Sequence, residues 1–421
     1  MANLIGARIE RKEDKKFLTG KGKYTADINL PKQTYAYFVR SPHARAKITK
    51  VDHSKAMKAP GVIDVFTGDC VAKDKIGGLI CGWKIVSQDG KDMKCPPHPV
   101  LAKDSVNFVG DHVAVVVAET LEQAKNAAEL VNVGYKIQKA VIKTEEATSF
   151  ENIHEGIDNN LSFDFLLGDK GKTDEAFSKA DKIVKLDIVN NRLIPNAMEP
   201  RAAIGDYNTS TDELTLYTAS QNPHLDRLIM SAFNAVHPEH KFRIVAPDVG
   251  GGFGSKINVY AEDVVVAYAS KKIGRPVKWV AERSESFMSD NHGRDHVTHA
   301  ELAVSNDGKM IGIKVDTIAN LGAYSLVLAA VTPTYLYAPL LLGIYDIPTA
   351  CCTVKGVYTN TAPTDAYRGA GRPEATYVIE RIVTEAAKEI GMDQAEFRKK
   401  NFIKKFPHQQ CLVHNIDSGD Y

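Results

Sequence analysis

The sequence predicts an α+β fold built in at least two parts, and three observations carry that expectation. The chain has 421 residues, 44% of them hydrophobic and 25% charged, enough to bury a large core. Strand-like and helix-like apolar patterns alternate along its first part. Around residues 144–160 the apolar periodicity weakens, which suits a connection between domains.

Residues 113–118 are a near-continuous apolar run of the kind a buried strand shows, and Leu121, Ala124, Ala128 and Val131 then share one helical face. Beyond the connection, residues 214–218 and 242–246 read as strands. The first is stopped by Ala219, Ser220, Gln221, Asn222, Pro223, His224, a turn with two side-chain amides at its tip before a helix. The second leads into Asp248, Val249, Gly250, Gly251, Gly252, Phe253, Gly254, Ser255, Lys256, where missing side chains let the backbone come very close to another group. Its spacing excludes two phosphate-binding patterns. A dinucleotide fingerprint would need glycine at Ser255, and Lys256 lacks the glycine spacing of a Walker loop. Upstream, Pro195, Asn196, Ala197, Met198, Glu199, Pro200 and Arg201 form a compact set with one carboxylate and one arginine. Taken singly, each of these segments is equally a hydrogen-bonded turn.

Val297, Thr298, Ala300, Leu302 and Val304 read as a strand leading to the Asn306, Asp307, Gly308 turn, which argues against grouping His292, His296 and His299 as zinc ligands on a helix. The uncharged stretch 317–345 is long enough to raise the question of a membrane span. Gly322, Pro333, Pro339 and Gly343 interrupt it, so a buried core segment lining an active-site channel is expected instead. Finally Asp365, Ala366, Tyr367, Arg368, Gly369, Ala370, Gly371, Arg372, Pro373, Glu374 runs into an amphipathic helix, with Pro373 at its first position, Ile379, Ile382, Val383, Ala386 and Ile390 on one face, and Gly391 as a stop. Arginine forks and unpaired helix-start N–H groups favour an anionic group there, the alternative being a tight turn with a surface arginine.

A net charge of +1 gives no bulk attraction to nucleic acid or to an anionic membrane. The six cysteines, Cys70, Cys81, Cys95, Cys351, Cys352 and Cys411, contain no C-x-x-C pair, which points to a reduced cytoplasmic protein without an iron–sulfur centre of its own. The charged run from Arg8 to Asp14 leaves no secretory signal after Met1.

Together, in this order, these segments resemble the large subunit of the molybdenum hydroxylases, the xanthine dehydrogenase and aldehyde oxidase family. Leu18, Thr19, Gly20, Lys21, Gly22, Lys23, Tyr24 resembles the family's N-terminal signature, as do Arg40, Ser41, Pro42, His43, Ala44 and Val106, Asn107, Phe108, Val109, Gly110. The likeness is greatest to the carbon monoxide dehydrogenase large-chain subgroup whose loop reads Ala, Tyr, Arg, Gly, Ala, Gly, Arg, and the closing Asp417, Ser418, Gly419, Asp420, Tyr421 fits that subgroup. The resemblance implies an α/β-hammerhead domain over 1–145 and the first molybdenum-cofactor-binding domain over 146–421.

It also implies chemistry: insertion of a water-derived oxygen at an electron-poor carbon of an aldehyde or N-heterocycle, with electrons leaving through an iron–sulfur small subunit to a FAD-binding medium subunit. The cofactor would be molybdenum on molybdopterin, in the cytosine dinucleotide form. Residue by residue, Gln221 would donate to the metal centre's oxygen. Gly251, Gly252, Phe253 and Gly254 would pack against it, Phe253 shielding it from water. Arg368 would face substrate, and Gly369, Ala370 and Gly371 would line the cofactor. No residue of this chain is expected to ligate the metal directly. Copper-dependent relatives carry a cysteine where this chain has Gly369, so copper, and with it carbon monoxide oxidation, is disfavoured. The family's general-base glutamate has no counterpart here, since it belongs to a C-terminal half that a second polypeptide or a longer chain would supply. The chain alone is therefore expected to be inactive. A non-catalytic scaffold homologue is the remaining alternative.

Overall fold

The run His112–Ala118 is an interior strand of the first sheet, because every one of its residues is buried and only a strand covered on both faces accepts such a sequence. This is a computed structural model, and it describes residues 5–416. Seven strands lie side by side in the order Phe242–Val245, Glu213–Thr218, Ala202–Asn208, Val277–Val280, Thr34–Arg40, His112–Ala118, Val62–Thr67. The sheet draws strands from both sides of residues 144–160, joined where Thr34 pairs in parallel with Val277 and Tyr35 with Lys278. A three-stranded sheet of Ser105–Val106, Ala46–Asp52 and Asn132–Ile137 accompanies it.

Helix Ala261–Ile273 packs on Ala202–Asn208 and is apolar on nearly every side, as a helix sandwiched in a core must be. Gly205 permits the close approach: a β-carbon there would lie 2.7 Å from the carbonyl oxygen of Val266. The predicted helix after residue 120 is Leu121–Ala128, started by the Thr120 hydroxyl accepting the Gln123 N–H. It stops three residues short of Val131, which instead leads into Asn132–Ile137.

The second sheet has the order Leu161–Gly168, Ala350–Val357, Met310–Asn320, His296–Val304, Lys182–Asn190. All neighbours are antiparallel except Met310–Asn320 and Ala350–Val357. That parallel pair requires a crossover, and residues 321–349 provide it as mostly buried turns in which Tyr337 and Tyr345 are fully covered. The stretch expected to be core is therefore core, and among the described residues no helix is long and apolar enough to cross a membrane. Helix Arg372–Glu389 buries Val378, Ile379, Ile382, Val383 and Ala386 against this sheet. Its first residue is Arg372, so Pro373 is second, and Gly391 follows its end with φ +72°.

Residues 144–160 are packed rather than loose. The buried Asn160 accepts the Ile153 N–H at 2.7 Å and donates to the Ala147 carbonyl at 2.9 Å.

Candidate active site

Strands Glu213–Thr218 and Phe242–Val245 are adjacent and parallel, so the segments leaving them emerge at the same end of the sheet. Carboxyl ends of parallel strands are where open sheets present ligand-binding loops. Ala202–Asn208 runs antiparallel to Glu213–Thr218, which brings Glu199 and Arg201, just before it, to that end as well. From the second sheet, residues 291–295 precede His296–Val304 and residues 358–372 follow Ala350–Val357, and both reach the same place.

There the sequence-predicted residues meet. The Gln221 side-chain Oε1 accepts the Gly254 N–H at 2.9 Å, which fixes the amide's orientation and leaves its nitrogen without a hydrogen bond among the described residues. Gly252 lies under the same amide: a β-carbon would be 2.3 Å from Gln221 Oε1. Gly254, at φ +107°, abuts the second loop, with a β-carbon position 2.1 Å from the Ala366 carbonyl oxygen. Arg368 donates its N–H to the Phe253 carbonyl at 2.9 Å, and its guanidinium lies 5.6 Å from the Phe253 ring. Gln221, Phe253, Arg368 and Gly369 are all exposed, Phe253 by 41%. Ala370 and Gly371 close the loop onto the core, Gly371 at φ +86° against the carbonyls of Leu336 and Thr332.

Supporting groups to which the sequence assigned no individual role hold this geometry. Glu199 Oε2 accepts the Gly250 N–H at 2.7 Å and the Lys256 ammonium at 2.8 Å, while Glu199 Oε1 is buried without a partner. Burial pulls Lys256 down from its ordinary value, with Glu199 opposing the shift. Arg294, buried and at φ +65°, donates to the carbonyls of Tyr367 at 3.1 Å and Arg368 at 2.7 Å and to Glu374 Oε1 at 3.0 Å, and stacks on the Tyr367 ring. Asp365 is buried and accepts the N–H groups of Ala366 and Leu328, and burial pushes its carboxyl up to about 6. The signal for Arg294 in the sequence is only the polar run Asn291, His292, Gly293, Arg294, Asp295 ahead of a strand.

Arg201 does not share an open pocket with Glu199 but is buried in an ion network. It binds both oxygens of Glu262 at 2.9 and 3.0 Å and Asp290 at 2.6 Å, and lies 3.7 Å from the Tyr260 ring centre. Arg40 reaches the same Glu262 at 2.9 Å and Glu285 at 3.0 Å. Burial alone would raise Glu262, yet Arg201, His112 and Arg40 together hold it well below the usual carboxylate range. The three histidines weighed as ligands have separate partners: His292 meets Arg192, His296 packs against Tyr337, and His299 binds Asp187 at 2.7 Å. The C-terminal motif from Asp417 to Tyr421 lies outside the described residues.

Two family models match the chain: the aldehyde oxidase and xanthine dehydrogenase a/b hammerhead domain over residues 19–139, and the molybdopterin cofactor-binding domain over residues 153–402. A carbon monoxide dehydrogenase large chain from Hydrogenophaga pseudoflava is 36% identical, covering 97% of this chain and 52% of that one. The structure of quinoline 2-oxidoreductase from Pseudomonas putida 86 superposes with a TM-score of 0.91 at 30% identity, over 98% of this chain and 52% of that one. The chain thus spans about half the length of the first relatives it matches. The nicotinate dehydrogenase large molybdopterin subunit of Eubacterium barkeri differs, with 30% identity over 91% of this chain and 85% of that subunit. With the cofactor-binding domain covering more than half of its residues, this chain belongs to the xanthine dehydrogenase and aldehyde oxidase family of molybdenum hydroxylases, oxidoreductases whose molybdopterin-binding large subunit it resembles along its whole described length.

Proposed function

We propose that the chain is the N-terminal part of the large subunit of a molybdenum hydroxylase acting on an aldehyde or an N-heterocycle. The observation that carries this reading is the meeting of Gln221, the 250–254 loop and the Arg368 loop on one exposed face. The residues suit an oxygen-rich cofactor. The N–H groups of Gly252, Phe253 and Gly369, the Gln221 amide nitrogen and the Arg368 guanidinium have no protein acceptor among the described residues, so the face gathers unpaired donors. Glycines at 251, 252 and 254 keep side chains out of the approach.

When bound, the molybdenum on molybdopterin, in its cytosine dinucleotide form, supplies the oxygen-insertion and electron-accepting chemistry. The protein's part is placement. Gln221 donates from its amide nitrogen while Gly254 holds its oxygen, Phe253 limits water, and Arg368 steadies negative charge on the substrate. Gly251, Gly252, Gly254, Gly369, Ala370 and Gly371 line the cofactor with backbone. The general base comes from sequence beyond these residues, namely the C-terminal half of the large subunit, and electrons pass to iron–sulfur and FAD-binding partner subunits in the cytoplasm.

Carbon monoxide oxidation is the second reading, favoured by the name of the Hydrogenophaga relative. Gly369 weighs against it. A soft copper ion needs sulfur, and this position has φ +95° with a β-carbon site only 2.5 Å from Pro373 Cγ, so a side chain there has neither conformation nor room. Metal and pterin analysis of the purified complex tests both: molybdenum without copper is the expected result, both metals would restore carbon monoxide oxidation, and absence of both would leave a scaffold homologue.

A further inference from the structure

Residues 79–98 fold back on themselves in an irregular arm. Leu79 donates its N–H to the His98 carbonyl and Met93 to the Ile85 carbonyl, both at 2.8 Å, with antiparallel bridges Leu79 to His98 and Val86 to Asp92. Cys81 and Cys95 lie on the two opposing limbs, two and three residues in from the Leu79 to His98 bridge, near enough for each thiol to perturb the other. Neither is sealed away: Cys95 is exposed and Cys81 half-buried.

The two sulfurs are inequivalent. Cys95 is held below the ordinary thiol value, first by the hydrogen bond from Cys81, then, against desolvation, by the Tyr358 hydroxyl and the Lys84 ammonium. Cys81 moves up, through that same hydrogen bond, through burial, and through the negative charges of Cys95 and, more weakly, Asp365. An exposed cysteine whose thiol is shifted down near a cation and a hydroxyl is the setting of a reactive cysteine, and a second thiol across from it is the setting of a resolving one.

We propose that Cys95 and Cys81 form a peroxide-responsive dithiol pair in which Cys95 is the attacking sulfur and Cys81 the resolving one. The Cys95 thiolate attacks one oxygen of hydrogen peroxide. The S–O bond forms, the O–O bond breaks, hydroxide departs, and the sulfur is oxidised by two electrons to a sulfenic acid. The Cys81 sulfur then attacks the Cys95 sulfur, an S–S bond forms, and the oxygen leaves as water with the Cys81 proton. Overall, two thiols and one peroxide become one disulfide and two waters. The bond would close beside the Arg368 loop: Gly82 donates its N–H to the Val327 carbonyl at 3.1 Å, and Leu328 donates to Asp365 at 2.9 Å.

The test uses the chain in its purified complex, reduced and then given equimolar hydrogen peroxide. Peptide mapping is expected to find Cys81 joined to Cys95, reversibly with dithiothreitol. In Cys81→Ser, Cys95 should instead carry a sulfenic acid captured by dimedone, and Cys95→Ser should show neither product. Alkylation is the second measurement: at pH 7 Cys95 should react on the order of tenfold faster than Cys411, the other exposed cysteine, and Lys84→Gln should slow it. Absence of the Cys81–Cys95 link in the native chain, or alkylation of Cys95 no faster than Cys411, overturns the proposal.

Discussion

Gln221 Oε1 occupies the space a side chain at Gly252 would need, 2.3 Å from the β-carbon position. The glutamine can reach the Gly254 N–H only because residue 252 has no side chain. Gly252→Ala should displace the amide at a local cost of about 1–3 kcal/mol, with the fold kept because the loop is at the surface. Molybdenum and pterin content should drop while circular dichroism stays unchanged. Normal cofactor content in this variant would count against the placement of Gln221.

Arg294 ties the Arg368 loop to the helix that follows it. Replacing it by lysine keeps the charge and loses the planar fork that reaches two carbonyls and Glu374 together. Arg294→Lys should speed proteolytic cleavage between residues 366 and 372, and Arg294→Ala should also lower stability by about 3–5 kcal/mol, because Glu374 is left buried without its cation. Limited proteolysis and chemical denaturation measure the two effects.

Glu262 is shared by two buried arginines, so its loss strands both. Glu262→Gln should cost about 3–5 kcal/mol in urea denaturation. The pH dependence has a definite sign. Its folded-state value is depressed, so its stabilisation is complete above the ordinary value of 4.5 and fades as pH falls below it. The acid-side loss of stability should be shallower in the variant than in the parent chain.

Asp365 should show the opposite slope. Its carboxyl is raised by burial to about 6 from an ordinary 3.8, so the folded state gains from its proton below pH 3.8 and loses that gain as pH rises through 6. Asp365→Asn should remove this component, which a shift of that size sets at about 3 kcal/mol at most. Thermal melts between pH 4 and pH 8 would read it, and an unchanged slope would show that Asp365 does not titrate as a buried acid.

The sequence made the glycine loop and Gln221 legible because close backbone approach leaves a composition that almost nothing else demands. Strand His112–Ala118 and helix Arg372–Glu389 were legible because their apolar periods are unbroken. Arg294 was not, since its role depends on a left-handed backbone and on an acceptor 80 positions away. Glu262 was hidden for a related reason: it sits in the first turn of an otherwise apolar helix, where an acidic residue normally only complements the helix dipole. Arg201 was placed with Glu199 by proximity in sequence, but its partners, Glu262 and Asp290, come from distant parts of the chain and draw it into the core. Which sheet Thr34–Arg40 would join had no local signal at all.

That last pairing governs how the protein can be made. Thr34 donates to the carbonyl of Pro276 across 242 positions of chain. At the usual ribosomal pace of about 5–20 residues per second, the edge of Thr34–Arg40 waits roughly 10–50 seconds for its neighbour to be synthesised. During that time the open edge of that strand is exposed to any other strand, so a nascent chain halted before Val277 is a candidate for aggregation and a client for chaperones.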